Sequence, residues 1–423
     1  MSLFKHKNQK YLIYANLRAF LTLTLAIPLP EVSYALTGHF KSAFFLQENN
    51  NFSKSPTSNN DLYLGDLRLM SKQYHKAWTF AIDYQVQASS GKILKSTLNQ
   101  NPDFTHFDQQ QMFNLTQVLH KSESNDTANL IYQRIDRLSA NYTNIDYSIT
   151  IGRQALSIGN GLVFHPLDRF NPFAPNQFDR DYKPGIDMLT LQKILSDGNE
   201  VSAVVLPRRN LQNHEVTLED SSWGFKLYRY GKYDNQWLLQ KDAHELVLAN
   251  QWSGNWQQGL WNLDMAFSYD SEFQQQAFNA IVNYQSAFMV AQHNLLSFIE
   301  LYYNGYGIAQ AKPNVSELPA SLLAKQASGK TFMLNQWYLA TGTTIELTPL
   351  TQLATSIIFN LQDAGTLLNL NATYSLNNQN TLRYGYQQSF APTGSEFSGL
   401  LNKAGQAQTA YEKQLFVNWT YYF

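Results

Sequence analysis

The last ten residues of the chain alternate with period two. Leu415, Val417, Trp419, Tyr421 and Phe423 fall on one side, while Gln414, Asn418, Thr420 and Tyr422 dominate the other. A strand sends successive side chains to opposite faces, so the segment predicts a strand with one apolar, aromatic-tipped face and one mostly polar face. Phe416 breaks the rule. The same zigzag recurs along the chain. Trp78, Phe80, Ile82, Tyr84 and Val86 alternate with Thr79, Ala81, Asp83 and Gln85; Trp261, Leu263, Met265, Phe267 and Tyr269 alternate with Asn262, Asp264, Ala266 and Ser268. Leu368, Leu370, Ala372, Tyr374 and Leu376 alternate with Asn369, Asn371, Thr373 and Ser375, and Leu382, Tyr384 and Tyr386 with Arg383, Gly385 and Gln387. Each run is about ten residues, the length a tilted strand needs to cross a bilayer, with aromatics near its ends where interfacial girdles lie.

A soluble β-sandwich also alternates, but its outward residues are typically charged. Here 15% of residues are charged, against roughly a quarter in soluble globular proteins. Polarity comes instead from Asn, Gln, Ser and Thr interleaved with 25 Tyr, 26 Phe and 8 Trp. Closure of the sheet leaves no unpaired backbone in lipid. The predicted fold class is therefore all-β, a transmembrane antiparallel β-barrel.

Composition excludes other classes. A formal charge of -1 gives no broad basic face for phosphates, which argues against nucleic acid as a partner. With no cysteine there is no disulfide framework or thiolate zinc site. No apolar run of about 18 residues is present, which argues against membrane-spanning helices. No cofactor or metal is called for.

Residues 1–35 read as a secretory signal peptide. Lys5, Lys7, Lys10 and Arg18 precede a short apolar core from Ala19 to Leu29, and Ser33-Tyr34-Ala35 puts small residues at a cleavage position. Residues 36–423 then form a single barrel domain, with too little chain ahead of the first strand pair for a plug domain.

Short turns and long loops alternate, as periplasmic turns and extracellular loops do. Asn377-Asn378, Thr348 to Leu350, Phe288 to Ala291, Ser196 to Asn199, Thr143-Asn144 and Ser71 to His75 read as turns; residues 391–411, 304–330, 155–185 and 88–129 read as long loops. If 221–251 supplies three strands, the count is about 18; if Gln236 to Gln251 is organised differently, it is about 16.

The largest departure from alternation is Ile151 to Asp187, the third extracellular loop. It gathers Asp168, Arg169, Asp179, Arg180, Asp181 and Lys183. Strand parity places Arg68, Arg137, Lys226 and Arg383 toward the lumen, with Asp66, Asp83 and Asp264. An inward loop bearing both signs beside a charged wall sets up a transverse field that sorts solutes by charge and size; the alternative is that the loop charges pair with each other on the outer surface. Arg153 shares the outward parity of Ile149 and Ile151, which aims it at lipid phosphates near the rim.

At this point the chain resembles Gram-negative outer-membrane porins. In many of them the third loop folds into the lumen, so the resemblance implies that residues 155–185 form a constriction loop. It also implies that Trp419, Tyr421 and Phe423 carry the signal read by the barrel-assembly machinery. Gly152-Arg153-Gln154, followed by Gly159-Asn160-Gly161, Pro166, Asp168 and Asn171-Pro172, resembles a porin-like subgroup related to alginate-export channels. The acidic loop motif of general porins is absent. Porins are frequently trimers, so a homo-oligomer is possible on this resemblance, although the sequence presents no decisive subunit interface.

Catalytic patterns are missing: no GxSxG, no HExxH and no GxxxxGK[ST], and no serine is tied by spacing to His165 and Asp168. The expectation is a channel rather than an enzyme, in the bacterial outer membrane, surrounded by lipid and lipopolysaccharide and passing small hydrophilic solutes by diffusion. Export of an anionic polysaccharide, a barrel-embedded hydrolase and an adhesin are the alternatives.

Overall fold

The computed structural model describes residues 33–48, 59–100, 108, 110–170, 181–402, 407–408 and 413–423. The strands are β1 (Ser33–Glu48), β2 (Asn59–His75), β3 (Trp78–Gly91), β4 (Thr116–Glu123), β5 (Ala128–Thr143), β6 (Tyr147–Gln154) and β7 (Ile186–Ile194). They continue with β8 (Glu200–Arg209), β9 (Val216–Arg229), β10 (Asp234–Asp242), β11 (Glu245–Trp256), β12 (Gly259–Asp270), β13 (Gln275–Val290) and β14 (His293–Tyr303). The last are β15 (Trp337–Thr348), β16 (Thr351–Asn360), β17 (Thr366–Ser375), β18 (Asn380–Phe390), the short pair β19 (Leu400–Leu401) and β20 (Ala407–Gln408), and β21 (Lys413–Tyr422).

Neighbours in the wall pair antiparallel. β3 passes β4 to pair with β5, β18 passes the short pair to reach β21, and β21 pairs with β1. Among the described residues, 18 strands close the barrel. Closure continues past the strand end, where Phe423 and Gly38 exchange backbone hydrogen bonds of 3.0 and 2.9 Å. The segment 221–251 supplies β10 and the parts of β9 and β11 that flank it, as the larger count requires.

One rim carries short turns and the other the long loops. The expected turn at Ser71 to His75 lies further on, because β2 stays paired through His75 and Lys76 makes the reversal with a φ of 52°. Likewise β13 runs to Val290, and Ala291 and Gln292, both at positive φ, form the hairpin. Such conformations give a two-residue turn whose twist matches its strands. The loop expected over 88–129 contains α1 (Lys92–Gln100) and β4.

The outer face is apolar and open: Phe40, Leu191, Phe225, Trp237, Phe267 and Val417 are exposed. Aromatic pairs mark both rims, with Trp78 and Tyr142 ring centroids 5.1 Å apart near the short turns and Tyr303 and Trp337 4.7 Å apart near the long loops. A belt of this kind matches hydrocarbon bounded by two interfaces. The inner face toward the long-loop rim holds a packed core instead, with Val163, Phe164, Ile281, Tyr302, Tyr338 and Phe397 buried together.

Phe416 now has its reason. It points inward and packs over Gly385, where a Cβ would meet its ring at 1.7 Å, and it stacks on Phe45 at 5.6 Å. A glycine in a strand interior gives up side-chain packing; here the opposing ring fills that space.

Candidate functional site

The wall is interrupted at β6. Gly152 sits at φ 115°, with Leu138 O only 2.1 Å from where a Cβ would be. Two residues later the chain leaves the sheet, returning at Ile186. In between it reaches the opposite wall. Asn160 N donates to Asp264 Oδ2 of β12 at 2.8 Å. Leu162, Val163 and Phe164 donate their backbone N–H groups to the Glu300 carboxylate of β14 at 2.7, 3.0 and 2.8 Å. The Phe164 ring stacks on Tyr302 with centroids 4.6 Å apart.

The returning end is tied to the other side of the barrel. Asp181 pairs with Lys41 of β1 at 2.9 Å and with Arg383 of β18 at 3.4 Å. The Tyr182 ring stacks on His39 at 5.0 Å, and the Arg68 guanidinium lies 4.4 Å from its centroid. Arg137 Nη2 donates to Lys183 O at 2.6 Å, and Gly185 N to Asp136 Oδ1 at 3.1 Å. Residues 155–164 thus cross the lumen from β6 to the wall of β12 and β14, and residues 181–185 hold the wall of β1, β5 and β18.

The loop charges expected from the sequence divide into three sets. Asp168 and Lys183 form a buried ion pair within the loop. Arg169, also buried, pairs with Glu245 of β11 and lies over the Tyr306 ring at 5.2 Å. Asp181 faces the wall as described, and Asp179 and Arg180 lie outside the described residues. Burial raises the Asp168 carboxyl to about 6 against the pull of Lys183, and it pushes the Lys183 ammonium down. Burial would raise Asp181 too, but Lys41 and Arg383 outweigh it and hold that carboxyl below its ordinary range.

The wall residues chosen by parity all reach the interior. Arg68 lies 2.7 Å from Asp136 and 3.8 Å from Asp83, Arg137 lies 2.6 Å from Asp136, and Lys226 lies 3.1 Å from Glu200. Asp264 and Arg383 hold the loop. Asp66 accepts from Gln85 and lies 3.0 Å from His39 Nε2. Every basic group here has a carboxylate beside it, so the lumen carries both signs in close pairs. Trp419, Tyr421 and Phe423 lie on the outer side of β21 and just beyond it, with Trp419 edge-on to Phe40 at 6.0 Å and Tyr421 6.0 Å from Phe423.

Several site residues escaped the sequence reading. Asp136 falls off parity because the β3–β5 register shifts at Asp83/Tyr84, a bulge that turns both Asp136 and Arg137 inward. His39 and Lys41 were accessible through the same alternation as Phe40 and Phe44. Glu300 was hidden because Phe298 to Tyr303 is apolar or aromatic on both faces.

The expectation for Arg153 is corrected. It does lie on the outer side, but it is buried, donating to Asp187 Oδ1 at 2.8 Å, Asp108 Oδ2 at 3.0 Å and Phe113 O at 2.6 Å. The cause is the short β6. Above it, β4 takes the free edge of β5, and Gln111 bridges to Arg208 of β8, so this segment closes over Arg153.

A closed 18-stranded barrel with a loop folded across its lumen is the fold of an outer-membrane porin. No protein-family model matches the chain, and no curated protein matches it by sequence. Among solved structures it is similar to OccAB3 of Acinetobacter baumannii, with a TM-score of 0.52 at 9% identity over 92% of this chain and 99% of that one. It is similar to OccK5 (OpdH) of Pseudomonas aeruginosa, with a TM-score of 0.52 at 10% identity over 93% and 98%. OpdQ of Pseudomonas aeruginosa gives 0.51 at 8% identity over 92% and 99%. These likenesses carry the porin part of the resemblance drawn from the sequence.

Proposed function

We propose that the protein is an outer-membrane channel through which small hydrophilic solutes diffuse passively, with residues 155–185 as its constriction loop. The observation that carries this is the crossing itself: Glu300 and Asp264 hold one part of the loop, while Lys41 and Arg383 hold Asp181 on the other side. A loop fixed at both walls narrows the path, and its paired charges orient a dipolar solute. The long loops then face outward, and the apolar belt meets lipid and lipopolysaccharide. Residues 1–35 act as the removed address, and Trp419, Tyr421 and Phe423 as the assembly signal. Refolded protein in a planar bilayer tests the reading. Discrete conductance steps with a reversal potential in a salt gradient are expected, and a silent bilayer overturns it.

A further inference from the structure

The crossing loop leaves two unlike halves of the lumen. Toward β1–β5 and β18, the four cations Lys41, Arg68, Arg137 and Arg383 share the three carboxylates of Asp83, Asp136 and Asp181. Toward β6–β10 lies a cavity of about 520 Å³ of different chemistry. Apart from one ion pair its wall is uncharged and polar, with Thr190, Gln192, Ser202 and Gln236 among the lining residues, and residues 156–160 of the loop cover it. The side chains of these four make no hydrogen bond to another described residue. The charges that line it, Lys226 and Glu200, lie 3.1 Å apart and cancel. Leu156, Ile158 and Leu238 add an apolar patch.

We propose that this half of the lumen is a binding subsite for an uncharged polyhydroxylated solute of mono- to disaccharide size. The inference rests on the channel reading and names a substrate class for it. A charged solute gives up water on entering a narrow site and needs an unmatched opposite charge in return; this cavity presents none. Hydroxyl and amide groups can each donate and accept, which suits a solute whose hydroxyls do the same. The apolar patch suits the C–H face of a sugar ring. The volume falls within the range of about 300–1,000 Å³ typical of small-ligand sites.

The test uses the full-length protein refolded in a planar bilayer, with maltose as the probe and gluconate as the charged comparator. Maltose is expected to interrupt the ion current in a saturable way that gluconate does not reproduce. Gln192→Leu combined with Gln236→Leu should weaken that block roughly tenfold, the worth of one or two hydrogen bonds; folding is verified by heat-modifiable gel mobility. A current indifferent to maltose, a stronger block by gluconate, or a variant that binds maltose as well as the native protein overturns the subsite and leaves the channel reading standing. If no current flows, the channel reading fails, and saturation-transfer NMR with maltose decides the subsite: transfer lost in the double variant supports it, and no transfer overturns it.

Discussion

The backbone N–H of Phe164, in the crossing loop, donates to Oε1 of Glu300, a carboxylate buried on β14, at 2.8 Å. Val163 N shares that oxygen and Leu162 N takes the other, so a wall side chain holds three consecutive loop amides. Tyr302, two residues along β14, adds the stacking surface for the Phe164 ring. One strand thus fixes both the backbone and the side chain of the loop.

Removing that carboxylate should free the loop. Glu300→Ala leaves the buried N–H groups of Val163 and Phe164 and the half-buried one of Leu162 without that acceptor, at about 1–3 kcal/mol for each that water cannot reach. We expect a larger and noisier single-channel conductance, with Glu300→Gln intermediate because its amide oxygen still accepts. Conductance indistinguishable from the native channel in both variants would remove Glu300 from the anchoring role.

Asp181 offsets Lys41 and Arg383 where the loop rejoins the wall. Asp181→Asn should leave these cations unmatched and move the reversal potential in a potassium chloride gradient toward anion preference. Asp181→Lys should move it further the same way. An unshifted potential in the lysine variant would refute the charge-sorting role of this position.

The pH dependence of selectivity should centre on Asp168. Burial raises its carboxyl to about 6, so it is ionised above that value and protonated below it. As pH falls through about 6 the loop loses a negative charge beside Lys183, and anion preference should rise. Asp168→Asn should fix the channel in its acidic-side selectivity. Reversal potentials measured across this range decide the matter, and a native protein without the step argues against it.

Much of the barrel was legible because period two is forced wherever one face meets lipid and the other does not. Leu415, Val417 and Trp419 could be assigned outward on that ground alone, and Arg68, Lys226 and Arg383 inward. The rule fails where backbone geometry departs from it. The bulge at Asp136 and the positive φ at Lys76 are set by pairing partners far along the chain, and nothing local announces them. The loop's charges were visible as a cluster, but their partners Glu245 and Lys41 lie 76 and 140 residues away. Glu300 needed the folded structure, since an isolated acid in an aromatic run carries no spacing signal. Arg153 shows the opposite failure: its parity was right, yet a segment from another loop covers it.

A second titration is built into the loops at the long-loop rim. Glu396 is buried, accepts Leu334 N at 3.0 Å, Asn360 Nδ2 at 3.0 Å and the Tyr338 hydroxyl, and donates its own N–H to Asp363 Oδ2 at 2.8 Å. Burial raises its carboxyl to about 7, and burial raises Asp363 as well. An acid whose folded-state value exceeds its ordinary one holds its proton in the packed loops at pH values where an opened loop releases it. The packing is therefore firmest on the acid side and loosens as pH climbs through about 7. Phe397, buried beside Glu396, reports the change. Chymotrypsin should cut at Phe397 slowly near pH 5.5 and faster near pH 8, after correction for the protease's own pH profile on an unfolded peptide. Glu396→Gln keeps the shape and removes the charge, so its cleavage should stay slow at both values; cleavage of the native protein that is equal at the two would mean that Glu396 does not control this packing.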